Sequence, residues 1–445
     1  MNYPFKIFNK NIKIKNIKKV FEDSIQNKPS IGIDGVNIKS FRVKIDNEFE
    51  IINRKIIDKT YNFSFYKEKL ISKGRMKYPR VLSIPTIRDK IVLKIIYNTL
   101  FEIFQNELSN ELIHTKIDKI TKTILSKKYD SYIKIDIQNF YPSINHDILM
   151  KAIYKKTKKI EFINLLKKAI TQETVNKSHS SISKYTNNKG VPQGLSISNI
   201  LASTYLIEFD KKYYAENEFE YYRYVDDILI LCKRKDVDTI FQTLKNDMIN
   251  LELTIHEIGI SEEKTSHGDF INGFYFLGYS YKNNFISVRK SSINNLYNSI
   301  INIFTQYKHS REKNINFLYW KLNLKITGCK FEGKKYGWLY FFSQINDIKL
   351  LFKIDIFIKE MFKKFKIDYD RKEVKKFIRT YFEILKNRTN TKYIPNFSEL
   401  TKDQKKEILI NIFNLKDVKS SQIEYRFNKL IYKSIKEMEK DIQMY

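Results

Sequence analysis

Two adjacent aspartates between two β-prone segments constrain this chain more than any other feature. Residues 221–223 precede Tyr224-Val225-Asp226-Asp227 and the apolar residues 228–231 follow it, so the sequence predicts a β-hairpin whose turn carries both carboxylates. Burying two acids side by side without a cation costs several kcal/mol through desolvation and mutual repulsion. The pair is therefore predicted either to bind a divalent metal or to lie exposed on a purely structural turn.

A third acid, Asp136, ends another β-prone segment upstream, where Ile137 follows it and the aromatics Phe140 and Tyr141 come shortly after. Two-metal phosphoryl transfer needs carboxylates from different chain segments to hold two Mg²⁺ ions roughly 3.5 to 4 Å apart. In that interpretation Asp136 and Asp226 bridge the two ions and Asp227 supports them.

A glycine-rich turn lies between the acidic segments, in the stretch Gly190-Val191-Pro192-Gln193-Gly194. Small residues follow it and predict the start of a helix that can approach a nucleic-acid backbone closely. A turn before a helix is structural in most proteins. Its place between the two acidic segments makes this one a candidate part of the same site.

With these segments in this order, the chain resembles a reverse transcriptase. Asp136 matches palm motif A, Pro192-Gln193-Gly194 matches motif B, and Tyr224-Val225-Asp226-Asp227 matches motif C. Further matches are Arg80-Val81-Leu82-Ser83-Ile84-Pro85 and Asp89-Lys90 in the fingers, Lys264-Thr265 in motif D, and Phe276-Leu277-Gly278-Tyr279 at the primer grip.

The resemblance implies an α+β fold, a right-hand polymerase with fingers and a ferredoxin-like palm, followed by an all-helical thumb and C-terminal extension. We expect the fingers at residues 1–127, the palm at 128–282 and the thumb with the C-terminal region at 283–445. Apolar residues recur at spacings of three and four from 293 onward, which is typical of helices. Thr401 and Gln404 predict a capping box at the start of a later helix.

The resemblance also implies a role for individual residues. The metal ligands are Asp136, Asp226, Asp227 and the Ile137 carbonyl, which hold two Mg²⁺ ions that Mn²⁺ could replace. The residues that contact the incoming dNTP are Lys73, Arg80, Tyr141, Gln193 and Gly194. Lys264 is the candidate proton donor to the departing pyrophosphate. Because the chain is so rich in lysine, the alternative is that Lys264 is an ordinary surface lysine.

Tyr141 lies where reverse transcriptases keep an aromatic ring under the sugar, so the resemblance implies that it excludes a ribose 2′-OH; the alternative is a packed core tyrosine. Asn139 departs from some viral enzymes, which carry another acid near the triphosphate. A backbone N–H can make that contact, so we do not interpret the change as inactivating.

Details of the sequence favour the bacterial, non-retroviral branches. Residues 140–146 and Gly35 resemble group II intron, retron and abortive-infection reverse transcriptases, and residues 326–347 resemble the antiphage defence branch. The leading hypothesis is an RNA-directed DNA polymerase of bacterial antiphage defence, with an associated non-coding RNA as template or scaffold. The alternatives are a retron or mobile-element enzyme, a template-independent or protein-primed polymerase, and a catalytically idle RNA-binding scaffold.

Charge and cysteine content agree with this hypothesis. The chain carries 81 Lys and Arg against 50 Asp and Glu, a net charge of +31, which favours a polyanionic partner such as an RNA template and its DNA product. The sequence contains no run of about 18 apolar residues, so it predicts no membrane span. The two cysteines, Cys232 and Cys329, have no metal-ligand neighbours and predict a reduced, cytoplasmic location. A homo-oligomer or a partner defence protein stays open.

Overall fold

The structure is a computed structural model that describes residues 3–26, 30–72, 78–108, 111–176, 188–259, 264–387, 390–415 and 418–442. Helices and strands are mixed throughout, so the predicted α+β class is confirmed.

Helices and two strands make up the first part of the chain, which contains α1 (Tyr3–Asn11), α2 (Ile14–Val20) with a π-helical turn at Phe21–Ile25, α3 (Ile38–Val43), α4 (Ile45–Ile57), β1 (Tyr66–Ile71), β2 (Arg80–Ile84), α5 (Ile87–Phe104) and α6 (Ile113–Leu125). The middle part contains β3 (Ser131–Asp136), α7 (Phe140–Ser143), α8 (His146–Tyr154), α9 (Ile160–Thr171), β4 (Thr174–Val175), α10 (Ser198–Tyr205), α11 (Ile207–Tyr214), β5 (Glu220–Tyr224), β6 (Asp227–Cys232), a 3₁₀ turn at Arg234–Asp236, α12 (Val237–Asn250) and β7 (Ser266–Asp269).

The last part contains β8 (Phe274–Phe276), β9 (Tyr279–Lys282), β10 (Phe285–Val288), α13 (Lys290–His309), α14 (Ile315–Thr327), β11 (Cys329–Phe331), β12 (Lys334–Tyr336), α15 (Trp338–Phe341), α16 (Ile348–Phe365), α17 (Phe377–Lys386), α18 (Lys402–Asn411) and α19 (Ile423–Met438), with 3₁₀ turns at Ser420–Gln422 and Glu439–Asp441.

The chain forms two compact units, and neither is continuous in sequence. The first unit comprises residues 1–111 and 132–267, and the second comprises residues 112–131 and 268–445. The boundaries of these units differ from those of the predicted fingers, palm and thumb. Those three divisions stay predictions. Among the described residues, no helix is both long and apolar enough to cross a membrane.

A four-stranded sheet with the order β5-β6-β3-β7 has most of its residues in the first unit. Apolar residues fill the middle of these strands, and Ile133, Ile135 and the run from Ile228 to Leu231 are fully buried. The acids stand at the strand ends, because Asp136 is the last residue of β3 and Asp227 is the first of β6. The sheet therefore places the acidic segments at the boundary between core and solvent.

A second sheet of the first unit has the order β2-β1-β4, in which β1 and β2 belong to the predicted fingers and β4 to the predicted palm. Helix α5 follows β2 and begins at Thr86, whose hydroxyl oxygen accepts a hydrogen bond from the Asp89 amide at 3.2 Å. The buried Asp89 carboxylate accepts hydrogen bonds from the Tyr61 hydroxyl at 2.8 Å and the Thr86 hydroxyl at 2.7 Å. The fingers residue Asp89 thus has a structural role at a helix start.

The second unit is mainly helical and holds a small sheet with the order β10-β9-β8. The predicted capping box is confirmed, since the Thr401 side chain accepts from the Gln404 amide and the Gln404 side chain accepts from the Thr401 amide.

Both cysteines of the chain are buried and have free thiols, Cys232 at the end of β6 and Cys329 at the start of β11.

One correction concerns residues 283–445, which are not purely helical. They include β10 and a hairpin of β11 and β12, whose two-residue turn places Glu332 at φ 48° and Gly333 at φ 72°. Positive φ at both central residues is the backbone that such tight hairpin turns require. Gly328 precedes the hairpin with φ 65°, and a Cβ there would lie 2.1 Å from the Tyr336 carbonyl oxygen. The strands were not predicted because the sequence on either side of this short segment has helical periodicity.

Candidate active site

The predicted β-hairpin is formed by β5 and β6, with Asp226 on its two-residue turn and Asp227 at the start of β6 and not on the turn itself. Tyr224 pairs with Asp227, so Val225 and Asp226 form the turn itself. Val225 has φ 56°, a left-handed conformation that is costly for a β-branched side chain. Strain of this kind persists only where the surrounding structure enforces it, and it is concentrated at functional sites.

Arg223 is the residue that enforces the turn. Its Nη1 donates to the Val225 carbonyl at 2.9 Å, and its Nε donates to Asp210 Oδ1 at 2.7 Å. Its Nη2 forms an ion pair with the other oxygen of Asp210, and only 9% of the Arg223 side chain and 15% of the Asp210 side chain are exposed. Burial alone would lower the pKa of the guanidinium, but the hydrogen bond and charge of Asp210 raise it instead.

Neither Arg223 nor Asp210 was a candidate from the sequence. An arginine beside such a turn has no distinctive spacing, and its partner lies 13 residues away on α11. The signal in the sequence was a charged residue, Arg223, among the three tyrosines of β5.

Asp136 is held by the segment that follows α12. Its amide donates to Thr265 Oγ1 at 3.3 Å, and its carbonyl accepts from the His256 amide at 3.0 Å. Its carboxylate accepts a hydrogen bond from Lys264 Nζ at 2.5 Å, with His256 Nε2 at 3.9 Å from the other oxygen. The predicted site residue Lys264 therefore lies against the first of the three acids.

The three acids act on one another electrostatically. Burial raises the pKa of Asp226, and the charge of Asp136 raises it further against the opposing charges of Lys264 and Arg80. Burial raises the pKa of Asp227 to about 7, with the buried Lys134 opposing and the charges of Asp226 and Asp136 adding to the rise. Two chain segments therefore bring their acids into one mutually repelling cluster.

The chemistry of this cluster fits a hard divalent cation. Carboxylate oxygens are the ligands that Mg²⁺ takes in proteins, and a cation would offset the burial and the mutual repulsion that together raise both pKa values. Within the described ranges, no three His, Cys, Asp or Glu side chains are arranged to hold a metal ion, and Asp136 is bonded to Lys264 instead. The donor set fits the ion, and the coordination itself stays a prediction.

Ile137 was expected to offer its carbonyl to the metal. It faces Ile255 in an isolated antiparallel bridge. The hydrogen bonds on either side of the bridge use the Asp136 carbonyl and the Gln138 amide, which donates to the Thr254 carbonyl at 2.7 Å. In a bridge with this hydrogen-bond pattern, the carbonyl of the central residue points away from the partner segment. The Ile137 carbonyl is therefore not used by the bridge.

The Pro-Gln-Gly turn is fixed between β2 and the segment after Asp136. The Ser83 amide donates to the Gln193 carbonyl at 2.7 Å, and the Val191 amide donates to the Tyr141 carbonyl at 2.8 Å. Gly194 has φ 96°, and a Cβ there would lie 3.4 Å from the Ser83 carbonyl oxygen. Gln193 is half-buried and Gly194 is exposed, so the turn presents a surface beside the strand that begins with Arg80.

Tyr141 lies in the same site as the acids. Its hydroxyl donates to Asn199 Oδ1 at 2.6 Å. Burial raises its pKa to about 12, with the nearby charge of Asp226 adding to the rise and that of Arg80 opposing it. The structure thus brings Arg80 and Tyr141 close to the acids, whereas Lys73 lies outside the described residues. Asn199 was not a candidate from the sequence.

Comparison with known proteins agrees with this geometry. Residues 67–281 match the family model described as reverse transcriptase (RNA-dependent DNA polymerase). The chain is 30% identical over 202 residues to the putative COX1/OXI3 intron 2 protein of Saccharomyces cerevisiae, a match covering 43% of this chain and 21% of that protein. It is 23% identical over 294 residues to protein YkfC of Escherichia coli, covering 56% of this chain and 74% of that one.

Among solved structures, the chain is similar to telomerase of Candida albicans in complex with a fragment of telomeric RNA, with TM-score 0.44, 13% identity and coverage of 87% of this chain and 68% of that one. Apo telomerase of Candida tropicalis, truncated from its C-terminal domain, matches with TM-score 0.38 and 16% identity over 51% of this chain and 55% of that one. The chain spans about a fifth of the yeast intron protein and about half of that truncated telomerase.

Proposed function

We propose that this chain, whose residues 67–281 form a reverse transcriptase domain, is an RNA-directed DNA polymerase that transfers nucleotides from dNTPs. The observation that carries the proposal is the cluster of Asp136, Asp226 and Asp227, in which burial and then the charges of the neighbouring acids raise the pKa of Asp226 and Asp227. The Gln193 turn and Tyr141 lie beside this cluster, so acids and nucleotide-binding candidates occupy one site.

The acids and their neighbours divide the work. Two Mg²⁺ ions, held by Asp136, Asp226 and Asp227, would activate the attacking 3′-oxygen and stabilise the leaving pyrophosphate. Arg80 is exposed near Asp226 and supplies a guanidinium fork for the triphosphate. Lys264 orients Asp136 through its hydrogen bond, and it has to leave that partner before it can protonate pyrophosphate.

Tyr141 sets the sugar preference in this proposal. Its ring is half-buried, and its neighbour Phe140 is 2% exposed and belongs to the core. A ring at the edge of the core, near Asp226 and the Gln193 turn, is suited to block a ribose 2′-OH. A packed core tyrosine, the alternative interpretation, would not need the proximity to Asp226.

We further propose that the enzyme serves bacterial antiphage defence in the cytoplasm, with a non-coding RNA as template or scaffold. Support comes from the sequence resemblance of residues 326–347 to the antiphage defence branch. Polar side chains of this segment also form hydrogen bonds with residues that precede it in the chain. Asn346 Nδ2 donates to the Asn284 carbonyl at 2.6 Å, and the Ser287 hydroxyl donates to Asp347 at 2.7 Å.

A mobile-element enzyme is the second candidate function. The observation that favours it is the likeness to the yeast intron protein and, at 28% identity over 222 residues, to an uncharacterised 91 kDa protein in the cob intron of Schizosaccharomyces pombe. That match covers 44% of this chain and 26% of that protein. Sequencing the nucleic acid that co-purifies with the protein distinguishes the two, because an associated non-coding RNA and an intron RNA differ in sequence.

The activity is tested by Asp226→Asn and Asp227→Asn. Each variant removes one carboxylate charge from the cluster, so we expect Mg²⁺-dependent incorporation of dTTP on poly(rA)·oligo(dT) to be abolished. Asp238→Asn is the matched control, because it removes an exposed acid from α12. Incorporation that persists in both cluster variants would contradict the assignment. RNA binding without synthesis by the wild type would instead support the idle scaffold.

A further inference from the structure

Tyr141 is held at both of its ends by the segment that contains the Gln193 turn. Its carbonyl accepts a hydrogen bond from the Val191 amide at 2.8 Å, and its hydroxyl donates to Asn199 Oδ1 at 2.6 Å. The backbone contact fixes the position of the Tyr141 main chain. The hydroxyl contact fixes where the ring points.

Asn199 is itself held firmly. It lies in the first turn of α10, and the neighbouring Ser198 hydroxyl donates to the Pro192 carbonyl at 2.6 Å, which ties the helix start to the Pro-Gln-Gly turn. Ile197 and Ile200 on either side are buried in the core of the first unit. The asparagine side chain is exposed, so its position depends on this anchored backbone and not on packing around the amide.

We propose that Asn199 is a specificity-determining positioning residue, which holds the Tyr141 ring where it excludes ribonucleotides. The inference rests on the proposed function and adds to it a second member of the sugar-selecting device. Without the amide oxygen, the ring can rotate about its side-chain torsions and make room for a 2′-OH. Asn199 acts through Tyr141 and is not assigned contact with substrate.

The contact is unlike a packing contact. Phe140 already fills the core position next to Tyr141, so the tyrosine hydroxyl is not required to complete the core. A pKa near 12 keeps that hydroxyl protonated and able to donate at any pH at which the enzyme would work. A phenol that keeps its proton and an acceptor on an anchored helix can therefore restrain the Tyr141 ring.

The experiment compares single-nucleotide incorporation of dTTP and UTP on poly(rA)·oligo(dT) by the full chain, as kcat/KM for each nucleotide. Asn199→Ala removes the acceptor, Tyr141→Phe removes the donor but keeps the ring, and Asn199→Asp keeps an acceptor oxygen. Ser203→Ala, on the same helix, is the matched control. The readout is the ratio of the two kcat/KM values, because general damage to the enzyme lowers both and leaves the ratio unchanged.

We expect Asn199→Ala and Tyr141→Phe each to raise relative UTP use by about 3- to 10-fold, the range that one neutral hydrogen bond spans. The double variant should add nothing further, since both substitutions break the same bond. Asn199→Asp and Ser203→Ala should keep the wild-type ratio.

Two outcomes would overturn the inference, and they differ in what else they overturn. If the wild type prefers dTTP and Asn199→Ala keeps that preference, Asn199 has no such role while the polymerase function stands. If the wild type incorporates neither nucleotide, the proposed function fails and the inference fails with it.

Discussion

At the scale of single residues, the candidate site consists of groups whose positions cost free energy. Val225 adopts a left-handed conformation, and Asp226 and Asp227 have pKa values raised by burial and by neighbouring negative charge. A chain selected for stability alone would avoid each of these features. The coincidence of such features at one hairpin is typical of functional sites.

Asp227 should make the protein less stable as the pH rises. Its pKa is about 7 in the folded chain against an ordinary value of 3.8, so the folded state binds the proton more tightly and loses stability between about pH 4 and pH 7. Asp227→Asn should therefore be more stable than the wild type at pH 8, and this advantage should shrink by roughly 3 kcal/mol at pH 5. Urea unfolding in EDTA at both pH values measures it.

The control for that experiment is Asp238→Asn, whose carboxylate is exposed. Its stability difference from the wild type should not depend on pH. An equal difference at pH 5 and pH 8 for Asp227→Asn would show that this carboxylate is not destabilised in the folded chain.

Tyr141→Ala should admit ribonucleotides, because the variant removes the ring proposed to crowd the 2′-OH. We expect UTP incorporation on poly(rA)·oligo(dT) to rise relative to dTTP by more than in Tyr141→Phe, which keeps the ring. Phe140→Ala is an unsuitable control, since Phe140 is in the core. Equal discrimination by Tyr141→Ala and the wild type would place the sugar selection elsewhere.

At the scale of elements, the β5–β6 hairpin depends on Arg223 to hold its turn. Arg223→Lys keeps the charge but loses the fork that reaches both Asp210 and the Val225 carbonyl, and it leaves Asp210 partly unpaired in a buried position. We expect a loss of about 3 to 5 kcal/mol of stability, measured by urea unfolding, together with a loss of polymerase activity.

The matched comparison is Lys212→Ala, which removes the ion pair of the exposed Lys212 with the half-buried Asp247 from the same helix that carries Asp210. An exposed pair contributes at most about 1 kcal/mol, so this variant should stay near the wild type. Similar stability of Arg223→Lys and the wild type would mean that the turn holds its conformation without the guanidinium.

The sequence allowed the local parts of the site to be predicted, and the structure explains why the other parts could not be. The hairpin turn, the Asp136 strand and the Pro-Gln-Gly turn are each formed by a few consecutive residues. The bond from Tyr141 to Asn199 joins residues 58 apart, and the pair of Arg223 and Asp210 joins a strand to the helix before it. Ordinary polar residues gain such roles only through tertiary contact, so no local pattern marks them.

The same limit applies to the fold. Strands with buried centres and helices with a capping box could be predicted from alternation and spacing. The hairpin of β11 and β12 could not, because its three-residue strands are shorter than any periodic signal.

At the scale of the whole molecule, the net charge of +31 should make nucleic-acid binding strongly dependent on salt. If six or more phosphates are neutralised, affinity for poly(rA)·oligo(dT) should fall by on the order of 10³-fold between 50 and 200 mM salt. Fluorescence anisotropy with a labelled primer measures the slope. A flat profile would show that the lysines do not contact phosphates and reflect sequence composition instead.

The interleaving of the two compact units has a consequence for how the chain is made. Residues 112–131 belong with residues 268–445, and the Asp130 carbonyl accepts a hydrogen bond from the Phe270 amide at 2.8 Å. During synthesis, helix α6 leaves the ribosome long before its own unit exists, and it waits through the whole remainder of the first unit. At about 5 to 20 residues per second, that delay lasts on the order of ten seconds. No single proteolytic cut can release either unit whole.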